Sequence, residues 1–361
     1  MKKWIVTAAV VAGFFSCQKP DPVEETPKTY PQATAYEIRR PLFFPEMDIP
    51  AENPLTVEGI ALGKKLFYDP ILSGNNTLSC GGCHNPDNAF TDPRRFSKGI
   101  DGVDGPRNSM PLFNLGYQAM YFWDGRAETL EKQILEPVPN PVEMHQSWKK
   151  SMEKLSASAE YRGLFGKAFG SERIDSVVVT KAIAQFLRTL VSSDSKFDKY
   201  RRGEATLTAE EFAGLNLFMR EGGDPDVVTG GQNGADCFHC HGFGDMQFTD
   251  YLIHNNGLDS VFRDPGAGGI TRRPQDMGKF KTPSLRNVGL TAPYMHDGRF
   301  GTLEEVIEHY NSGGHKSSTI DPFMKYTTGG LNLSPQAKKQ LIAFLRTLDD
   351  PTFVSNPAYR P

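Results

Sequence analysis

Cys80-Gly81-Gly82-Cys83-His84 and Cys237-Phe238-His239-Cys240-His241 are the two stretches on which the reading of this chain turns. Both have the form C-x-x-C-H, the attachment pattern of a c-type haem. The spacing has a mechanical reason. One tight helical turn points two thiols at the two vinyl groups of a single haem, and the next residue places its imidazole under the iron. The chain has five cysteines, and the motifs take four of them as thioethers. A zinc ribbon would need its two C-x-x-C knuckles roughly 15–20 residues apart, whereas these lie in different halves of the chain. A thioredoxin-type pair needs a βαβ context, which is lacking. The cofactors expected are therefore two covalently bound haem c groups, with His84 and His241 as proximal ligands.

Working outward from these motifs, the chain repeats itself. Gly63-Lys-Lys-Leu-Phe67 precedes the first motif as Gly214-Leu-Asn-Leu-Phe218 precedes the second. Phe-Thr-Asp follows each, at Phe90–Asp92 and Phe248–Asp250. Phe122-Trp123-Asp124-Gly125-Arg126 matches Met295-His296-Asp297-Gly298-Arg299, and Phe-Leu-Arg-Thr-Leu ends each half at Leu190 and Leu348. Two cytochrome c-like domains related by internal duplication explain this, with the boundary near Tyr200–Gly203. The division reads 41–200 for the N-terminal domain and 201–361 for the C-terminal one.

Helical signals dominate. Thr208-x-x-Glu211 is a capping box for a helix through about Met219. Ser334-Pro335 supplies an N-cap and first turn for a helix ending near Leu348. Val177 to Leu190 has amphipathic helical spacing. Strand alternation is scarce, so the expected fold class is all-α, with long Gly/Pro/Asn segments wrapping the haems.

The chain of 361 residues is large enough for two cores, and its formal net charge is −3. It has no basic stripe, Walker loop or dinucleotide fingerprint, which argues against nucleic acid and nucleotide partners. Lys2 and Lys3 followed by the apolar Trp4–Phe15 and Ser16-Cys17 resemble a bacterial lipoprotein signal spanning 1–17, with Cys17 as the acylated residue. Phe14 departs from the usual Leu, which leaves ordinary signal cleavage open. Residues 18–40 read as a tether. The expected location is the periplasm or cell envelope, anchored through Cys17.

The repeat also bears on the second axial position of each haem. Tyr310 lies fourteen residues after His296, and Pro137 fourteen after Trp123, without a gap in either stretch. The two positions should be equivalent. If Tyr310 reaches its iron, Pro137 stands at the matching place and cannot ligate. One haem is then closed and suited to passing electrons, and the other is open to small molecules. His309 is the rival to Tyr310, but points roughly 100° away on a helix.

The C-x-x-C-H pair, Gly105-Pro106-Arg107-Asn108, Phe122–Arg126, Asn140-Pro-Val-Glu143-Met144 and Thr291-Ala-Pro-Tyr-Met-His296-Asp-Gly together resemble the bacterial dihaem cytochrome c peroxidase and MauG family over roughly Pro41 to Asp350. The resemblance implies that the N-terminal haem meets hydrogen peroxide and the C-terminal haem relays electrons. It implies Glu143 as the distal acid/base that moves a proton between the peroxide oxygens, Gln133 as its neighbour in the pocket, and Trp123 as a relay between the haems. It implies a calcium ion held by Asn108, Thr291 and the Pro293 carbonyl. Taken alone, Glu143 reads as a surface carboxylate, Gln133 as a solvated helix residue, Trp123 as a packed aromatic and His296 as a junction residue.

Two departures from the peroxidase pattern matter. Many members carry a His that caps the first iron, but residues 85–107 contain none, and Ile100 stands at the expected place. Standard peroxidases carry Met where this chain has Tyr310; MauG carries Tyr and shares the uncapped first haem. Three activities follow: a peroxidase drawing electrons from a small cytochrome c or cupredoxin, a MauG-like enzyme oxidising side chains of a partner protein, and a non-enzymatic electron carrier, which the open first haem disfavours.

Overall fold

A computed structural model describes residues 1–4, 28–222 and 234–361; Cys17 and most of the signal segment lie outside them. Twelve α-helices follow in order among the described residues: α1 Val57–Tyr68, α2 Cys80–Cys83, α3 Leu130–Ile134, α4 Trp148–Ala157, α5 Ala159–Phe169, α6 Ser176–Thr189, α7 Lys196–Arg201, α8 Ala209–Phe218, α9 Ala267–Thr271, α10 Leu303–Ser312, α11 Pro335–Arg346 and α12 Pro351–Val354. Among the described residues the only sheet is the antiparallel pair β1 Ile253–His254 and β2 Phe280–Lys281. The fold is mostly helical, as the sequence predicts. Small polar caps set the starts: Thr208 and Glu211 close a capping box on α8, Thr302 and Glu305 another on α10, and the Ser334 side chain accepts from the Ala337 N–H on α11.

Apolar residues gather in two cores. One joins Leu62, Leu66 and Phe67 of α1 to Ile183, Phe186 and Leu187 of α6. The other joins Leu215 and Phe218 of α8 to Leu341, Phe344 and Leu345 of α11. Each core is built around one helix crossing made close by a glycine. A Cβ on Gly63 would lie 1.9 Å from the Ala182 carbonyl oxygen, and one on Gly214 would lie 1.9 Å from that of Gln340. The repeated Gly-x-x-Leu-Phe is thus a packing signature: the glycine admits the facing backbone, and Leu and Phe fill the core beside it.

Two segments cross between the cores. Phe44 packs in the second and Phe353 of α12 in the first. Residues 28–40 dock instead of hanging free as a tether. The Tyr36 N–H donates to the Leu55 carbonyl at 2.9 Å, and the Tyr30 ring lies against Gly166 of α5.

The two halves meet through a reciprocal pair of backbone hydrogen bonds. Asn108 N–H donates to the His296 carbonyl at 2.8 Å, and Lys281 N–H donates to the Trp123 carbonyl at 2.7 Å. In the repeat, Asn108 corresponds to Lys281 and Trp123 to His296. The contact is therefore self-complementary, in the manner of an isologous dimer interface.

Candidate active site

Both C-x-x-C-H motifs form a single turn. His84 N–H donates to the Cys80 carbonyl at 3.0 Å and His241 N–H to the Cys237 carbonyl at 2.9 Å. The four cysteines are free thiols. The Nδ1 of His84 lies 3.1 Å from the Phe90 carbonyl, and that of His241 lies 3.0 Å from the Phe248 carbonyl. These bonds place the proton on Nδ1 and leave Nε2 as the lone-pair donor, as metal-ligating histidines require. Burial lowers the pKa of both imidazoles, which keeps them in the neutral, ligating form. The repeated Phe-Thr-Asp thus supplies the carbonyl that orients each histidine.

Beside the first motif lies a cavity of about 1030 Å³. Cys83, His84, Trp123, Gln133, Pro137 and Glu143 all line it, so the structure brings together the first-half residues singled out from the sequence. Pro137 faces this space with no donor atom. Glu143 is half-buried, and burial raises its carboxyl pKa, opposed by a hydrogen bond from Asn140 Nδ2 to Oε1 at 2.6 Å. A carboxyl raised in this way holds a proton more readily than a solvated one and can return it. The Gln133 amide has no hydrogen-bond partner among the described residues and faces the same space. The Ile100 N–H donates to the Glu143 carbonyl at 2.9 Å, which ties the 95–107 loop to the Glu143 turn.

The second motif has different company. Tyr310, on α10, lies in the surroundings of Cys237 and Cys240, and burial pushes its phenol up to about 12. Asn256 Nδ2 donates to its oxygen at 3.2 Å. Such a phenol ionises near neutral pH only beside a cation. His309 is not available as a substitute: its Nε2 lies 3.0 Å from the Asn256 carbonyl. The Asp of Phe-Thr-Asp also differs in its partner. Asp92 accepts from Arg94 Nε at 2.9 Å, whereas Asp250 pairs with His254 Nε2 at 2.6 Å.

Trp123 lies at the junction. Its indole N–H donates to the Asn108 carbonyl at 2.8 Å while its own carbonyl receives Lys281. The His296 ring stacks on Phe280 of β2, with centroids 3.7 Å apart and planes 11° from parallel. Asn108 is buried, and its Nδ2 donates to the Arg95 carbonyl at 3.1 Å, which aims Oδ1 away from that loop. Thr291 and Pro293 lie in the bent, half-buried run leading to His296.

A family model described as di-haem cytochrome c peroxidase matches residues 57–206. The chain is 38% identical over 325 residues to the methylamine utilization protein MauG of Methylorubrum extorquens, covering 89% of this chain and 86% of that one. It belongs to the dihaem cytochrome c peroxidase and MauG family. It is also 33% identical over 318 residues to the cytochrome c551 peroxidase of Nitrosomonas europaea, covering 86% of both chains. Among solved structures, a MauG-like protein associated with microbial copper homeostasis superposes with a TM-score of 0.80 at 36% identity, covering 90% of this chain and 99% of that one. The chain is thus an oxidoreductase of the peroxidase type, and haem c is the cofactor of its family. The residues present fit that group: paired cysteines one turn apart that form no disulfide, an imidazole kept neutral by burial, and a cavity beside the first pair.

Three contributors were not singled out from the sequence. Asn140 holds Glu143, and it stood in the quoted Asn-Pro-Val-Glu motif. Asn256, which holds Tyr310, and Lys281, which lines the first cavity, carry no local signal, because only the fold brings them to their sites.

Proposed function

We propose that this chain is a dihaem enzyme of the cell envelope that reduces hydrogen peroxide at the site on His84. Electrons arrive through the site on His241 from a partner protein. The observation that carries this is the asymmetry of the two axial positions: Pro137 faces the first cavity, and Tyr310 approaches the second pair of cysteines. The balance is H₂O₂ + 2e⁻ + 2H⁺ → 2H₂O. The haems, when bound, accept and pass the electrons. Glu143 holds and returns the proton, Gln133 offers a hydrogen bond to the peroxide substrate and Asn140 orients Glu143. Trp123 offers a polarised indole between the halves. His84 and His241, oriented by the Phe90 and Phe248 carbonyls, would hold the two irons, and Tyr310 would supply a further oxygen ligand at the His241 site.

The duplication into two haem domains, 41–200 and 201–361, belongs to this reading, supported by the two glycine-centred crossings and the reciprocal junction. So does a calcium ion on Asn108, Thr291 and the Pro293 carbonyl, supported by the free Oδ1 of Asn108 next to the segment that carries the other two. Anchoring through Cys17 in the periplasm or envelope also belongs to it. No described helix is long and apolar enough to cross a membrane.

Two identities of the electron source are compatible with this chemistry: a small cytochrome c or cupredoxin, and the side chains of a protein substrate. Tyr310 favours the second. A hard oxygen ligand stabilises ferric iron and lowers the potential, which makes the second haem a poor acceptor from an ordinary donor. Stopped-flow spectroscopy of the ferric protein with stoichiometric hydrogen peroxide, with and without a reduced cytochrome, tests this. The proposal expects a spectral change that persists for seconds or longer without a donor. Rapid steady turnover with cytochrome shifts the assignment to a peroxidase, and inertness to peroxide removes the enzymatic reading.

A further inference from the structure

Lys281 stands at an unusual place. It is 5% exposed. Its ammonium reaches only two neutral oxygens, Gln118 Oε1 at 3.3 Å and the Thr282 carbonyl at 3.4 Å. The Asp250 carboxylate acts on the ammonium through space without making an ion-pair contact, and burial outweighs it, pushing Lys281 down to about 8. Its backbone cannot swing outward to relieve this. Its N–H is held by the Trp123 carbonyl at 2.7 Å, and the next N–H, of Thr282, by the Leu252 carbonyl at 2.9 Å. The side chain lines the cavity shared with Cys83 and His84, although Lys281 belongs to the second half.

The repeat sharpens the point. The position matching Lys281 is Asn108, which makes the reciprocal junction bond but carries no charge. One half therefore extends a fixed cation toward the other half's cavity, and nothing equivalent is extended back from position 108. A rigid, dehydrated ammonium facing a cavity is built for an anion that enters it.

We propose that Lys281 is a carboxylate-binding residue, reaching from the second half to pair with a propionate side arm of the haem carried on His84. This rests on the assignment of a haem to the Cys80–Cys83 pair. The consequence is twofold. The ammonium offsets the propionate charge at the first haem by direct pairing, favouring its reduced form, while the His241 site feels the same ammonium only through space and gains no such pairing from Asn108. Loading of the first haem also tightens the docking of the halves, because its counter-ion comes from the opposite one.

The test uses the full-length holoprotein with Lys281→Met and Lys281→Arg. Two readouts apply: the propionate bending modes in the resonance Raman spectrum, and the midpoint potential of each haem by spectroelectrochemistry. Lys281→Met is expected to shift a propionate mode and to lower the potential of the first haem more than that of the second. Lys281→Arg is expected to keep the potential near that of the parent while moving the mode, because a two-pronged donor replaces a point charge. Unchanged modes and potentials in both variants would overturn the proposal. If Lys281→Met does not fold, the Raman mode of Lys281→Arg decides alone, an unmoved mode overturning it. Haem stoichiometry of the parent against Cys80→Ala/Cys83→Ala tests the underlying assignment separately. Loss of one covalent haem supports it, and no loss defeats it whatever Lys281 does.

Discussion

The two C-x-x-C-H sites share a scaffold and differ in what surrounds it. In each, a glycine-centred helix crossing supports one turn bearing the thiols, and a phenylalanine carbonyl orients the histidine. Beyond that the sites diverge. The first opens on a cavity of about 1030 Å³ lined by Pro137, Gln133 and Glu143. The second is approached by Tyr310, a phenol pushed up to about 12 by burial and steadied by Asn256. The lesson is that a shared frame can be kept while a few positions change what surrounds it. Pro137 stands where the other half has Tyr310, and Asn108 where it has Lys281.

The largest test of this contrast is Glu143→Gln. If the first site alone handles peroxide, losing its acid/base should slow the peroxide reaction by about 10²–10⁴-fold while leaving both haem potentials in place. A variant with parental stopped-flow rates would remove Glu143 from that role.

Tyr310→Met attacks the contrast from the other side. Replacing a hard oxygen ligand by a thioether should raise the potential of the second haem, measured by redox titration, and leave the first unchanged. An unmoved potential excludes Tyr310 as a ligand.

A smaller effect is expected from Asn140→Ala. Burial raises the pKa of Glu143, and the Asn140 bond lowers it by favouring the charged form. Removing that bond raises the pKa further. Because the carboxylate is the form that accepts the proton, the rate of the peroxide reaction should fall at a higher pH than in the parent as the solution is acidified. A pH–rate profile that coincides with the parental one contradicts the positioning role.

The smallest effects should come from the shared frame. Gly63→Ala and Gly214→Ala each drive a methyl into a facing carbonyl, at a cost of about 1–3 kcal/mol. Denaturant unfolding should show similar losses for the two, because the clashes are equal at 1.9 Å. A large loss in only one would break the likeness of the halves.

Much of this was legible in the chain itself. The family and the helical class were legible in motif and spacing, and the expectations of haem attachment and of a Pro137/Tyr310 contrast rest on the same short-range geometry, because covalent attachment and helix geometry act over a few residues. Glu143, Gln133 and Trp123 were nominated by motif and share one cavity in the fold. What stayed hidden acts over long sequence distances. Lys281 reaches a cavity whose histidine is His84, and Asn256 reaches Tyr310 across a loop. The docking of residues 28–40 was hidden for the same reason: nothing in their polar, Pro-containing sequence announces that Gly166 leaves room for the Tyr30 ring.

The inequality of the two sites is tested most directly by electron paramagnetic resonance of the ferric protein as isolated. An open first haem and a closed second one predict equal amounts of a high-spin and a low-spin species, with Tyr310→Met altering only the low-spin signal. Two low-spin signals, each from a haem with two protein ligands, would contradict it.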